Sequence, residues 1–89
     1  SWLVSWAAAQ GEGVGVGDAA RKMLWRALRE GDASVRLAAA QVLAQIGRPD
    51  DVEPLLAALT DPDRTVVDAA MEALAEISRR YDVRIEYRV

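Results

Sequence analysis

Apolar and small residues recur at spacings of three and four through most of this chain, the period of amphipathic helices. From Asp18 to Glu30 the predicted inward set is Met23, Leu24, Ala27 and Leu28, with Asp18 as the cap. After a Gly31-Asp32 turn, a second helix is predicted from about Ala33 to Ile46. It turns Val35, Ala39, Val42, Leu43 and Ile46 inward, and Gly47 closes it just past the last turn. A third helix starts at Asp50, with Glu53 three residues on completing a capping box. Pro54 is tolerated in its first turn, where an amide hydrogen would have no partner. Val52, Leu55, Leu56 and Leu59 form its buried stripe, and Asp61-Pro62-Asp63 ends it. Asp63 or Thr65 caps a fourth helix, which buries Val66, Ala70, Ala73, Leu74 and Ile77.

The four helices form two copies of one unit. Asp32/Asp63, Val35/Val66, Ala38/Ala69, Ala39/Ala70, Leu43/Leu74, Ala44/Ala75 and Ile46/Ile77 coincide at a single offset of 31 residues. Upstream, Leu24, Ala27 and Leu28 fall on Leu55, Ala58 and Leu59. A partial third copy opens the chain, where Val4-Ser-Trp-Ala-Ala-Ala-Gln10 overlays Val35-Arg-Leu-Ala-Ala-Ala-Gln41. A period of this length marks a solenoid, in which each unit buries its apolar face against its neighbours. The fold class expected is all-α: antiparallel helix pairs stacked as an α-solenoid, two full repeats plus a partial one, in a single domain over residues 1–89. Its parts are a partial-repeat helix (1–10), a glycine-rich connector (11–17), repeat 1 (18–47), repeat 2 (48–78) and a tail (79–89). A chain that begins with Ser1 inside a repeat reads as a piece of a longer protein or a small domain with an irregular first cap.

Two segments depart from the helical period. Gly11-Glu-Gly-Val-Gly-Val-Gly17 has glycine at every second position, which disfavours helix. It precedes a helix but has no Lys-Ser/Thr after it, and Asp18 would repel a phosphate, so no nucleotide site is expected. The tail Tyr81-Asp-Val-Arg-Ile-Glu-Tyr-Arg-Val89 alternates apolar and charged positions, a strand pattern. A lone strand needs a partner for its ladder groups. The candidates are the 11–17 connector, the same tail of a second copy in a homodimer, or a following domain.

Composition narrows the chemistry. The apolar content of 52% includes only 6% aromatic, so the core is expected to consist of Ala, Leu, Val and Ile in closely packed helices. There is no Cys and no His, which removes disulfides, thiolate chemistry, the commonest general base and the commonest metal ligand. The acidic clusters around Asp50 and Asp61 sit where caps are needed. No enzyme activity, metal or cofactor is expected. The apolar run in Ser1–Gln10 is too short to span a membrane and lacks a basic flank, so a cytoplasmic protein without a membrane partner is expected. A net charge of −3 argues against nucleic acid. Charge is unevenly spread: residues 19–48 hold six cations against two anions, and residues 49–78 one cation against eight anions. That pattern serves solvated helix faces paired between repeats, or a polarised surface that steers a charged partner.

The string Val52-Glu-Pro-Leu-Leu-Ala-Ala-Leu-Thr-Asp-Pro-Asp63, followed by Val-x-x-Ala-Ala-x-x-x-Leu-x-x-Ile, closely resembles the HEAT repeats. It looks most like the short bacterial type shared with phycobilisome-lyase-like proteins. The resemblance covers residues 19–78 well and 1–10 partly. It implies an α-solenoid whose second helices line a concave face used for contact with a protein partner. On that face it puts Asp68, Glu72 and Glu76, with Gln41 and Gln45 as repeat-1 counterparts and Trp6 at the edge. Arg36 matches an arginine that such repeats carry after the motif valine, but the second copy has Val67, so a continuous Asp–Arg ladder is not expected. Asp32 or Asp63 is the expected partner of Arg36. Trp2, Trp6 and Trp25 read as covers for the open end of the core or as exposed hot spots. The expected function is a protein-interaction scaffold presenting Trp6, Arg36, Gln41, Gln45, Asp68, Glu72 and Glu76. The other readings are self-assembly, through the tail strand or basic-to-acidic stacking, and an accessory domain of a lyase-like or signalling enzyme.

Overall fold

The structure, a computed structural model, describes residues 17–87; the predicted 1–10 helix, Trp2, Trp6 and nearly all of the 11–17 connector lie outside them. Four α-helices follow in order: α1 (Asp18–Glu30), α2 (Ala33–Ile46), α3 (Val52–Ala58) and α4 (Arg64–Tyr81), with a 3-10 turn at Pro49–Asp51 before α3. The chain pairs α1 with α2 and α3 with α4. Across the pairs, α2 lies against α4 in the most extensive interface of the fold, while α1 meets α3 more sparingly. First helices therefore form one layer and second helices the other, as the 31-residue register requires.

The second layer comes together closely because its contact positions are small. Ala38, Ala39, Ala40, Ala69, Ala70 and Ala73 are all buried, and Leu24, Leu43, Leu55, Leu74 and Ile77 fill the space between the layers without solvent contact. Gly47 belongs to the same close approach. A Cβ there would overlap the Leu43 carbonyl oxygen and lie 2.7 Å from Ile77 Cδ1. Its φ of −64° shows that it ends α2 by making room for α4 rather than by a left-handed turn.

The second helix spans the predicted residues, capped by Asp32, whose carboxylate accepts the Val35 N–H at 3.0 Å. Asp63 caps α4 by accepting the N–H of Thr65 at 2.9 Å and its hydroxyl at 2.6 Å. Three expectations are corrected. Asp18 lies in the first turn of α1 behind Gly17 and makes no cap bond. Met23 is 52% exposed, because α1 turns Arg21 inward beside Leu24 and Leu28 instead. Asp50 and Glu53 are both exposed and form no capping box, since the fully buried Asp51 takes that place by accepting the Arg48 N–H at 2.8 Å.

The strand expected over 81–89 is absent among the described residues. Tyr81 ends α4, Asp82 reverses the chain at φ 53°, and residues 83–87 run extended with no ladder. The Val83 N–H donates to Ser78 O (3.2 Å), and the Ser78 hydroxyl donates to Val83 O (2.6 Å). The alternation is real, but a helical surface satisfies it: Val83 and Ile85 pack half-buried on the core, while Arg84, Glu86 and Tyr87 face solvent.

Candidate functional site

A groove of about 580 Å³ runs between α2 and α4 on the outer side of the second-helix layer. Gln41 and Gln45, one turn apart, line its α2 wall; Glu72, Glu76 and Arg80 line the α4 wall, with Ala44 and Ala69 in its floor. The two glutamines and Glu72 are exposed, and Glu76 is half-buried. Arg80 closes one end by donating to the Gly47 and Ala44 carbonyls at 3.0 and 2.9 Å. Those carbonyls belong to the C-terminal end of α2, where a cation is favoured by the helix dipole. Glu76 is held by Arg79 and lies 4.0 Å from Arg80. Glu72 has no cation within 4.0 Å among the described residues. Among the described residues, the groove therefore offers two amides and one carboxylate that no other side chain engages.

The remaining expected site residues are placed differently. Asp68 points outward on α4 and pairs with Arg64 at 3.0 Å, both well exposed. Arg36 stands at the other end of α2, spent on the fold. Its guanidinium holds both oxygens of Asp61 (2.7 and 3.1 Å) and donates to Gly31 O at 2.9 Å. Its partner is thus Asp61, not Asp32 or Asp63, because those two carboxylates are occupied as helix caps. The hydrogen bond from Arg36 holds the Asp61 carboxyl below its ordinary range, and that of Asp63 is lowered by Thr65. The Arg36 guanidinium is raised by the same bond. Trp6 lies outside the described residues.

One polar cluster escaped sequence reasoning. Asp51 (0% exposed) and Arg21 (3% exposed) form a buried ion pair between α1 and the turn before α3. Trp25 Nε1–H donates to Asp51 Oδ1 at 2.7 Å, so Trp25 is a half-buried ligand of this carboxylate rather than a free hot spot. Of the cations on α1, Lys22, Arg26 and Arg29 are exposed and only Arg21 turns inward. The register held a signal: Asp51 falls 31 residues after Ala20, which is buried. A carboxylate at a position whose repeat counterpart is a buried alanine must bring its own counter-charge.

An apolar cleft of about 350 Å³ separates α1 from α3, walled by Trp25, Leu28, Pro54, Ala57 and Pro62. Among the described residues, no group of three or more acidic residues could hold a metal ion, and no helix is long and apolar enough to cross a membrane. A family model described as HEAT repeats matches residues 1–82. No curated protein and no solved structure matches the chain.

Proposed function

The chain belongs to the HEAT-repeat family, and from that premise we propose that it is a protein-interaction scaffold whose second-helix layer receives a segment of a protein partner. The observation that carries this reading is the α2–α4 groove, where Gln41, Gln45 and Glu72 are exposed and make no side-chain hydrogen bond or ion pair among the described residues. Glu76 forms its far wall, and Asp68 continues the acidic row along α4. Arg36 acts indirectly by tying α2 to the turn before α4, and Trp6 extends the same register toward the N-terminus. The walls are helices packed through alanine, so side chains are presented without a large ordering cost. Glu72 favours a cationic side chain on the partner, and the amides favour its main-chain or polar groups. No reaction is assigned to the domain.

The test uses the full chain with a photo-crosslinking residue at Gln41, against the same probe at Arg29 on the first-helix layer. The expected result is one protein captured from Gln41, not from Arg29, and lost when Gln45→Arg and Glu72→Lys are added with helicity unchanged. Equal capture from both positions, or capture that survives the groove substitutions, refutes the proposal.

A further inference from the structure

Opposite its buried side, α4 carries a row that reads Arg64, Asp68, Met71, Ala75 and Arg79, and Asp82 follows at the left-handed residue just past the helix end. The spacings within the helix are four, three, four and four, so these five residues lie in one stripe, and they and Asp82 are all exposed. The buried set of α4, Val66, Ala69, Ala70, Ala73, Leu74 and Ile77, lies on the other side. Reversed, the stripe is its own complement. Laid antiparallel on itself, it sets Asp68 against Arg79 and Met71 against Ala75, each match occurring twice, and brings Arg64 to the end of the partner helix that Asp82 follows. That self-complementarity is what a two-fold, isologous contact requires.

We propose that this outward face of α4 is a self-association surface whose occupant is a second copy of this chain, joined antiparallel about an axis between Met71 and Ala75. Met71 is 51% exposed at the centre of a charged row, and Ala75 beside it lets another helix approach. The charges have partners within the chain: Arg64 bonds Asp68 at 3.0 Å, and Arg79 bonds Glu76. These bonds are weak because Arg64, Asp68 and Arg79 remain 85%, 61% and 71% exposed, so sharing them across a dimer axis costs little. Within the helix the stripe is about 22 Å long at the rise of an α-helix. One helix from each side buries less than the roughly 1,600 Å² of a standard stable complex, so the dimer is reversible and concentration-dependent. Gln41 and Gln45 stand on α2, off this face. Asp68 belongs to both surfaces, but the groove test rests on Gln41, Gln45 and Glu72, none of them in this stripe, so the two failures are distinguishable.

Sedimentation of the full chain over a wide concentration range, at low salt, tests the pairing. The wild type is expected to pass from monomer to dimer. Asp68→Arg sets arginine against Arg79 twice, and Arg79→Asp sets aspartate against Asp68 twice, so each variant alone self-associates about tenfold more weakly. An equimolar mixture of the two restores both pairs in a heterodimer and recovers wild-type association. Circular dichroism checks that both variants stay as helical as the wild type. A wild type that is monomeric at every concentration overturns the proposal. So does a dimer that the single reversals leave intact, or a mixture that recovers nothing.

Discussion

Two arginine–aspartate pairs tie repeat 1 to repeat 2, and they differ in nearly every physical respect. Arg36–Asp61 joins the start of α2 to the turn before α4, with side chains 19% and 7% exposed and both carboxylate oxygens engaged. Arg21–Asp51 joins α1 to the turn before α3 almost without water, at 3% and 0% exposure. In the first pair each ion keeps some contact with solvent. In the second, the Asp51 carboxylate depends wholly on Arg21, the Trp25 indole and the Arg48 amide. Even then the Arg21 Nε finds no partner among the described residues. The contrast separates an ion pair that reinforces stacking from one that must be completed before stacking can occur at all.

The largest effect is therefore expected from removing one buried ion. Asp51→Ala leaves the Arg21 guanidinium uncompensated in the interior, at a cost of about 3–5 kcal/mol. That is a large share of what a small domain possesses. Denaturant unfolding followed by circular dichroism measures the loss. The double variant Arg21→Met/Asp51→Ala removes both charges and is expected to regain most of it, since apolar replacements of buried pairs are often neutral or better. If the double variant is as damaged as the single one, the pair contributes stability of its own and the contrast narrows.

A smaller step sharpens the same point. Trp25→Phe keeps the ring in the wall of the apolar cleft but deletes the donor to Asp51 Oδ1, and about 1.5 kcal/mol is expected. In the Arg21→Met/Asp51→Ala background the same substitution is expected to cost little, because the acceptor is gone. Equal costs in both backgrounds, measured as a double-mutant cycle, show that Trp25 acts by packing alone.

The repeated half of this architecture is legible in sequence because it follows from periodicity. Ala39/Ala70, Leu43/Leu74 and Ile46/Ile77 recur at one offset and occupy equivalent places at the α2–α4 contact, and Asp32 and Asp63 cap their helices as the turn chemistry demands. What breaks the repeat is harder to read. Arg21 and Asp51 sit in columns of the register otherwise held by apolar residues, Val52 and Ala20, so an amphipathic pattern sends arginine to the surface. Their meeting is a tertiary event across 30 positions of sequence. The tail fails for a related reason. Alternation reports that one side is buried without reporting what buries it, and here helices do so for Val83 and Ile85. Of the candidate site, Gln41, Gln45, Glu72 and Glu76 converge on one groove as the register implies, whereas Arg36 was readable as an arginine but not as the partner of Asp61.

Acidification probes the less buried pair. In the folded chain Asp61 is held below the ordinary carboxylate range by the hydrogen bond from Arg36, and Asp63 by those from Thr65. A carboxyl with a lowered folded-state pKa adds stability that is complete above its unfolded value, near 3.9. That stability drains away as pH falls through the lower folded value. Urea midpoints are thus expected to fall on going from about pH 5 to below about pH 4. Asp61→Asn, less destabilising at neutral pH than Asp51→Ala, flattens that decline because one titrating group has gone. An unchanged slope in Asp61→Asn assigns the acid sensitivity to Asp63 and the other carboxylates.

The smallest effect belongs to a pair that resembles these only in its residue types. Arg64–Asp68 spans one turn of α4 with its side chains 85% and 61% exposed, so water and salt supply nearly all that either ion gains from the other. Arg64→Ala is expected to shift unfolding stability by no more than about 0.5 kcal/mol, and less in high salt. This variant is the control that makes the comparison quantitative. The three pairs share one chemistry, and their expected costs rank by how completely the fold excludes water from them. A loss from Arg64→Ala approaching that of Asp51→Ala would mean either that burial is not what sets the ranking or that a second copy already buries the self-complementary face of α4 in solution, and dilution separates the two.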